Sequence, residues 1–370
     1  MPYAKQYIQS LLDSAGIQIN GPNAFDIQVY NDQLYRRMLR GNSLALGESY
    51  MEGWWDAKEL DVFFFKIFQA RLHEKMAWSW SEIISFLHAV IFNLETKSRS
   101  FIVGRQHYDI GNDIYAAMLG KTLTYSCGYW KDAQNLDQAQ EAKHNLICQK
   151  IGLKKGDRVL DIGCGWGSFL KFAAKAYGAK GTGITVSKEQ AALAKNLCTG
   201  LPIEILLQDY RDTTGKFDHI VSVGMFEHVG VKNYRTYMED VNNLLKDDGL
   251  FLLHTIGSSR GISIDPWIEK YIFPNSMLPS AAHISKAIEG IFVMEDWHNF
   301  GAYYDKTLMA WFENFNAHWL QLQSKYSETF YRMWKYYLLS CAASFRARHN
   351  QLWQIILSKR GVKGGYVSVR

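Results

Sequence analysis

The chain has 370 residues, 48% hydrophobic and 14% aromatic, with a formal charge of +5, enough apolar content for one large core or two unequal ones. Its five cysteines, Cys127, Cys148, Cys164, Cys198 and Cys341, are odd in number and contain no C-x-x-C pair, which argues against a disulfide framework and suggests no metal cage. No stretch approaches the roughly 20 apolar residues of a spanning helix, and Met1 to Ser10 carries no apolar core, so reduced thiols, a cytoplasmic location and no signal peptide are expected.

Residues 1–95 read as a separate, mainly helical unit. It opens on an apolar helical pattern at Ile8, Leu11 and Leu12, passes a strand pattern at Phe25 to Tyr30, and reaches Trp54-Trp55 and the apolar runs Val62 to Phe65 and Ile83 to Leu87. Core packing accounts for most of these hydrophobes. Eight basic residues face eleven acidic ones in this unit. A linker at 96–106, beginning in Glu95-Thr96-Lys97-Ser98, leads to a second domain at 107–370.

That domain turns on Val159 to Ser168, Val-Leu-Asp-Ile-Gly-Cys-Gly-Trp-Gly-Ser. An apolar run ending in Asp161 fits a buried parallel strand, and Gly163, Gly165 and Gly167 let the backbone turn close to a ligand. The spacing G-x-G-x-G departs from the G-x-G-x-x-G of dinucleotide sites. S-adenosylmethionine has no phosphate to cradle, and Asp161-x-Gly163-x-Gly165, with the small Cys164 and Trp166 between, supplies a loop that can close-pack it.

Helix and strand patterns then alternate. Ser168 to Tyr177 is amphipathic, Gly181 to Val186 a strand, and Ser187 to Leu197 a helix with an N-cap serine. Strands follow at Ile203 to Leu207, Phe217 to Val223 and Leu250 to His254, with a helix at Asn233 to Leu245 before the last. This alternation predicts a doubly wound parallel sheet, whose ligands bind beyond the carboxyl ends of the strands. Those ends carry Thr185 and Gln190, then Gln208, Asp209 and Tyr210, then Glu227-His228. The second strand lacks an acidic residue at its tip, so Thr185 and Gln190 must serve the ribose by hydrogen bonding. His228 reads as a capping or packing residue, and Cys127 as a small buried side chain or a nucleophile.

Several of these segments carry a resemblance. His107-Tyr108-Asp109, Tyr125-Ser126-Cys127, the Asp161 to Gly167 loop, Thr185 to Gln190, Gln208 to Arg211, Phe226 to Gly230, His254 to Gly257 and Gly301 to Leu308 resemble the bacterial cyclopropane-fatty-acyl-phospholipid synthases and the mycolic acid cyclopropane synthases. Leu46 to Trp55 extends the likeness into the amino-terminal unit. The resemblance implies a class I S-adenosylmethionine-dependent methyltransferase fold, a doubly wound, mostly parallel seven-stranded sheet, with a small helical domain that helps the enzyme find lipid. It implies methyl transfer to a cis double bond of a phospholipid acyl chain, through a carbocation that gives a proton to bound bicarbonate and closes to a cyclopropane ring.

By the same resemblance the anion's ligands are the backbone region of Cys127 and Ile256, with Glu227, His254 and Tyr304, and Tyr304 rather than Tyr303 faces the site. A carboxylate alone would repel an anion, so Glu227 must share a proton and have a raised pKa. Tyr125 and Ser126 close over the amino-acid end of S-adenosylmethionine. The neighbouring readings are a fatty-acid C-methyltransferase and a small-amine N-methyltransferase on the same scaffold. From Lys306 to Arg370 ten basic residues face two acidic ones, interleaved with Trp311, Trp319, Trp334 and Trp353. That face suits either anionic headgroups or a solvated helix over core tryptophans. Peripheral contact with the inner face of the membrane and no nucleic-acid partner are expected, with a homodimer left open.

Overall fold

A computed structural model describes residues 2–72, 111–259 and 265–370. The expected linker at 96–106, the boundary at residue 95, the run Ile83 to Leu87 and the motif His107-Tyr108-Asp109 lie outside them. The described chain divides into two compact units, and the division is not a single cut. One unit combines residues 2–72, 265–274 and 305–350. The other combines 111–259, 275–304 and 351–370.

The first unit holds α1 (Pro2–Asp13), α2 (Gln33–Met51), α3 (Leu60–Gln69) and the two-residue strands β1 (Gln28–Val29) and β2 (Trp55–Asp56). The expected strand at 25–30 shrinks to two residues because the buried Asp26 turns inward to accept from the amides of Gln18 (2.8 Å) and Asn23 (2.9 Å). Later helices join it: α9 (Pro266–Tyr271) packs on α2, and α12 (Glu328–Arg346) on α2 and α3. Two arginines of α12 stitch them down. Arg332 donates to Asp56 (2.9 Å) and to the carbonyls of Tyr50 and Trp55, and Arg346 reaches Asp61 (2.7 Å) and Asp305 (2.9 Å). Trp55, Phe63 and Phe64 are buried in this unit's own core, as packing demands; among the described residues its exposed large hydrophobes are Tyr3, Tyr7, Tyr30, Leu39 and Leu320.

The second unit is a seven-stranded sheet with strand order β5-β4-β3-β6-β7-β9-β8. In chain order these are β3 (Arg158–Ile162), β4 (Lys180–Thr185), β5 (Ile203–Leu207), β6 (Phe217–Val223), β7 (Leu245–Ser258), β8 (Val293–Asn299) and β9 (Asn350–Ser358). The first five pair in parallel, and β8 pairs antiparallel with β9. The helices here are α4 (Asn112–Leu119), α5 (Leu136–Lys150), α6 (Ser168–Tyr177), α7 (Lys188–Leu197), α8 (Tyr234–Leu244) and α10 (Ala281–Ile288), and α11 (Ala302–Leu322) starts here. Ser187 caps α7 by accepting from the Gln190 amide. β7 runs well beyond the expected 250–254, because it pairs along β6 and is flanked by β9 on its other edge, with a register shift between Leu245 and Leu250. Two apolar clusters fill the space around the sheet, one around Leu160, Ile220, Tyr237 and Phe251, the other around Ile147, Val159, Phe169 and Val221.

Among the described residues, half of the carboxy-terminal basic residues form ion pairs within their units. Besides Arg332 and Arg346, Arg370 grips Asp296 (2.6 Å), while Trp311, Trp334 and Trp353 are buried. Three of the four tryptophans are therefore core residues, which favours the packing reading of this region.

One packing constraint in α2 can be tested. A Cβ on Gly47 would meet the buried Trp267 ring at 2.3 Å. Gly47→Ala would gain about 1 kcal/mol of helix propensity, but overpacking against a ring with nowhere to go costs about 1–3 kcal/mol. The clash should win, lowering the urea midpoint of unfolding with little change in m-value.

Candidate active site

The carboxyl ends of β3, β4, β5 and β6 surround a pocket where the strand order reverses between β3 and β6, the usual ligand position on such a sheet. Tyr125, Ser126, Asp161, Gly163, Cys164, Gly165, Trp166, Thr185, Gln190, Gln208, Asp209 and Tyr210 all line it. Gly167 does not. It precedes α6, where a Cβ would press on Cys198 Sγ at 3.0 Å, so its place is helix packing.

The loop is held from below. The amides of Gly163 and Cys164 both donate to the Ile184 carbonyl of β4 at 3.0 Å. Gly163 and Gly165 have φ of +85° and +55°, conformations costly for other residues. They differ in surroundings. A Cβ at 163 would strike Met225 at 2.9 Å, whereas at 165 there is nothing within 4 Å, so the bare backbone at 165 keeps a cradle open that a side chain would fill. Thr185 Oγ1 donates to Gln190 Oε1 (2.9 Å), which turns the amide nitrogen of Gln190 outward as a donor. Asp209 lines the pocket but is engaged by Arg211 through Nε (2.6 Å) and a second nitrogen (2.7 Å). Its task is to hold the turn at 210–212. Trp166 is fixed by Asn112 (3.2 Å) and by the Tyr115 ring, which also meets Tyr125.

Asp161 is buried, one of its oxygens has no partner among the described residues, and burial pushes its carboxyl up to about 7. An orphaned acceptor beside an open backbone cradle fits a ligand that brings hydrogen-bond donors and lies against the loop, as the amino-acid and ribose parts of S-adenosylmethionine would. Lys143 and His144 of α5 and His228 also line the pocket. Sequence reading missed the first two. The available signal was Gln140, Lys143 and Lys150, polar residues at helical spacing on a face shared with the apolar Ala139, Leu146 and Ile147.

A second cluster adjoins the pocket through Ser126, Gly224 and Met225. Glu227 is buried, and its Oε1 accepts from the Ile256 amide at 2.7 Å. Its Oε2 has no partner among the described residues, and burial raises the carboxyl to about 7, in line with the expected upward shift. His254, two residues before Ile256 on β7, is buried, with Nδ1 3.2 Å from the Gln354 amide nitrogen. Nδ1 thus accepts and Nε2 carries the proton, and burial holds the ring neutral. That Nε2 likewise has no partner among the described residues. Phe300, which the sequence reading passed over, links the pieces: its ring lies 5.9 Å from His254 and 5.4 Å from Tyr129, two residues past Cys127. It also opens the turn that carries Tyr304, a buried residue whose amide donates to Gly301. Cys127 is fully buried, and its thiol donates to the Gly128 carbonyl at 3.2 Å. The Ile256 amide is already engaged, so Ile256 serves by orienting Glu227.

The model of mycolic acid cyclopropane synthetase matches residues 95–355. The chain is 53% identical to the cyclopropane-fatty-acyl-phospholipid synthase of Escherichia coli K12 over 356 residues, 96% of this chain and 93% of that one. Among solved structures it resembles the cyclopropane synthase MmaA2 of Mycobacterium tuberculosis, with TM-score 0.67 and 30% identity over 72% of this chain and all of that one. It also resembles mycolic acid cyclopropane synthase CmaA1 complexed with SAH and CTAB, with TM-score 0.66 and 32% identity over 70% of this chain and 98% of that one. The sheet and its helices are those of the class I S-adenosylmethionine-dependent methyltransferase fold.

The buried Glu227 carries a pH signature. Its folded pKa, about 7, lies above the ordinary 4.5, so the native state binds this proton more tightly than the unfolded chain. The associated stability is complete below pH 4.5 and is lost as the pH rises through 7. Glu227→Gln cannot titrate. Relative to that variant, wild type should lose up to about 3 kcal/mol between pH 4.5 and 7.5 in paired urea titrations.

Proposed function

The chain belongs to the mycolic acid cyclopropane synthetase family and is an S-adenosylmethionine-dependent methyltransferase, and from that footing we propose that it converts cis double bonds of unsaturated phospholipid acyl chains into cyclopropane rings, with bound bicarbonate as the base. The observation that carries the proposal is two buried atoms with no partner among the described residues, Glu227 Oε2 and His254 Nε2, on residues adjoining Gly224, Met225 and His228 of the glycine-loop pocket. The phospholipid substrate is inferred from the Escherichia coli relative.

When bound, S-adenosylmethionine supplies an electrophilic methyl group. Asp161, Gly163, Gly165, Thr185 and Gln190 would hold it, with Tyr125 and Ser126 over its amino-acid end. An alkene is a weak nucleophile, and the carbocation that methylation leaves on the acyl chain must survive until it gives up a proton and the ring closes. Phe300, Tyr129 and Tyr303 offer ring faces near His254 that favour positive charge and exclude water. His254 presents an N–H, and Glu227, part-protonated near neutral pH, presents an O–H in place of a repelling charge. With the Cys127 backbone and the Tyr304 hydroxyl these donors suit a small anion, and bicarbonate held there would supply the base. Membrane contact at the cytoplasmic face is part of this reading, with the exposed Tyr3, Tyr7, Tyr30 and Leu39 as the amino-terminal unit's contribution.

The substrate assignment is tested by expression in a bacterial host whose lipids lack rings, followed by lipid mass spectrometry. Monounsaturated phospholipids should gain one CH2 with the chromatographic retention of a ring; unchanged lipids, or a retained double bond beside a new methyl branch, would refute it.

The base is tested separately by turnover in carbon-dioxide-depleted buffer with bicarbonate added back. Wild type should require the anion, and Tyr304→Phe should cost about 1–3 kcal/mol of transition-state stabilisation with partial recovery at high bicarbonate. A wild type indifferent to bicarbonate would move the base to a side chain.

A further inference from the structure

Lys143 has no role in the reaction described so far, and its position is costly. It lies on the buried face of α5, 1% exposed, among residues such as Ala139 and Ile147 that would favour an apolar side chain. Its ammonium has three protons to donate. Among the described residues it makes one hydrogen bond, to Ser126 Oγ at 2.7 Å. It lines the glycine-loop pocket, as do Ser126 and Asp161.

The other ionisable groups around that pocket are accounted for. Asp209 is engaged by Arg211. His144 and His228 are held neutral by burial. What remains is one cation, Lys143, and one anion, Asp161, close enough to stabilise each other's charge. No hydrogen bond joins them among the described residues, and each keeps unspent bonding capacity. A ligand with a negative and a positive group on one carbon would satisfy both, and an α-amino acid is such a ligand.

Resting on the S-adenosylmethionine reading of the pocket, we propose that Lys143 is the counter-charge that binds the α-carboxylate of the cofactor's amino-acid end, with Ser126 fixing the direction of its ammonium. Lys143 is then a binding and specificity residue. It distinguishes a nucleoside bearing an intact amino acid from one without it.

The test uses the full chain and calorimetric titration with three ligands: S-adenosylhomocysteine, its analogue with the carboxylate converted to a primary amide, and methylthioadenosine, which lacks the amino acid altogether. Wild type should bind the acid at least tenfold more tightly than the amide. Lys143→Met, close in volume and uncharged, should weaken S-adenosylhomocysteine at least tenfold, erase the preference for acid over amide, and leave methylthioadenosine within about twofold of wild type. Unchanged methylthioadenosine binding also reports an intact pocket. If wild type does not prefer the acid, the proposal fails without reference to any variant. If Lys143→Met weakens all three ligands equally, Lys143 is a structural tether for Ser126 and the proposal is overturned. If wild type binds none of the three, the cofactor reading of the pocket falls, and the proposal with it.

Discussion

Burial without full pairing governs this molecule's chemistry. An ionised carboxyl or ammonium taken from water into a protein interior loses solvation that only good partners restore, and where partners are missing the group moves toward its neutral form. Asp161, Lys143, Glu227 and His254 all sit in that condition along the carboxyl edge of the sheet, with burial the main cause of each shift. Two acids near neutrality, a half-discharged amine and a neutral imidazole form a site whose proton positions respond to what enters it. Such a site disfavours the empty protein and rewards ligands carrying the missing charges.

The scaffold makes that arrangement affordable by spending its ordinary polar groups elsewhere. β4 anchors the loop through one carbonyl that receives two amides, so the loop's shape does not depend on a ligand. Thr185 orients Gln190, Arg211 neutralises Asp209, and the Ile256 amide aims Glu227. Phe300 packs its ring beside Tyr129 and His254. The other unit follows a different logic: its arginines Arg332 and Arg346 are engaged with carboxylates and carbonyls, and Trp55, Phe63 and Phe64 are packed inward. A sequence surplus of positive charge therefore does not translate into an equally positive surface.

The local elements were legible because local chemistry specifies them. Alternating apolar runs and amphipathic stretches placed β5 and β6 and α6 at their observed limits, and Ser187 signalled the start of α7 through its capping hydroxyl. The glycine spacing announced a loop built for close approach, and the residues at the strand ends line the pocket because carboxyl ends of parallel strands converge there. The upward shift of Glu227 was expected from the anion that the resemblance implies, but its cause in the fold is burial. These are properties of neighbours in the chain or of a single strand end.

Other features belong to tertiary structure. Phe300 matters because its ring meets His254 and Tyr129, residues 46 and 171 positions away in sequence. Gln354 sets the His254 tautomer from β9, a strand that no periodic pattern had marked as adjacent to β7. Lys143 looks like one more charged residue on a helix until packing shows that its face is buried and its ammonium lines the pocket. The grouping of 265–274 and 305–350 with residues 2–72 likewise rests on α9 and α12 packing against α2 and α3. By itself the sequence determined β3 to β6, the Ser187 cap, the loop and the chemical types at those strand ends, because these depend on backbone preference and short-range patterning. Which of those groups are left dry, which atoms remain unpaired and which distant side chains orient them was decided only by the folded chain, because desolvation and hydrogen-bond saturation depend on neighbours that the chain order does not reveal.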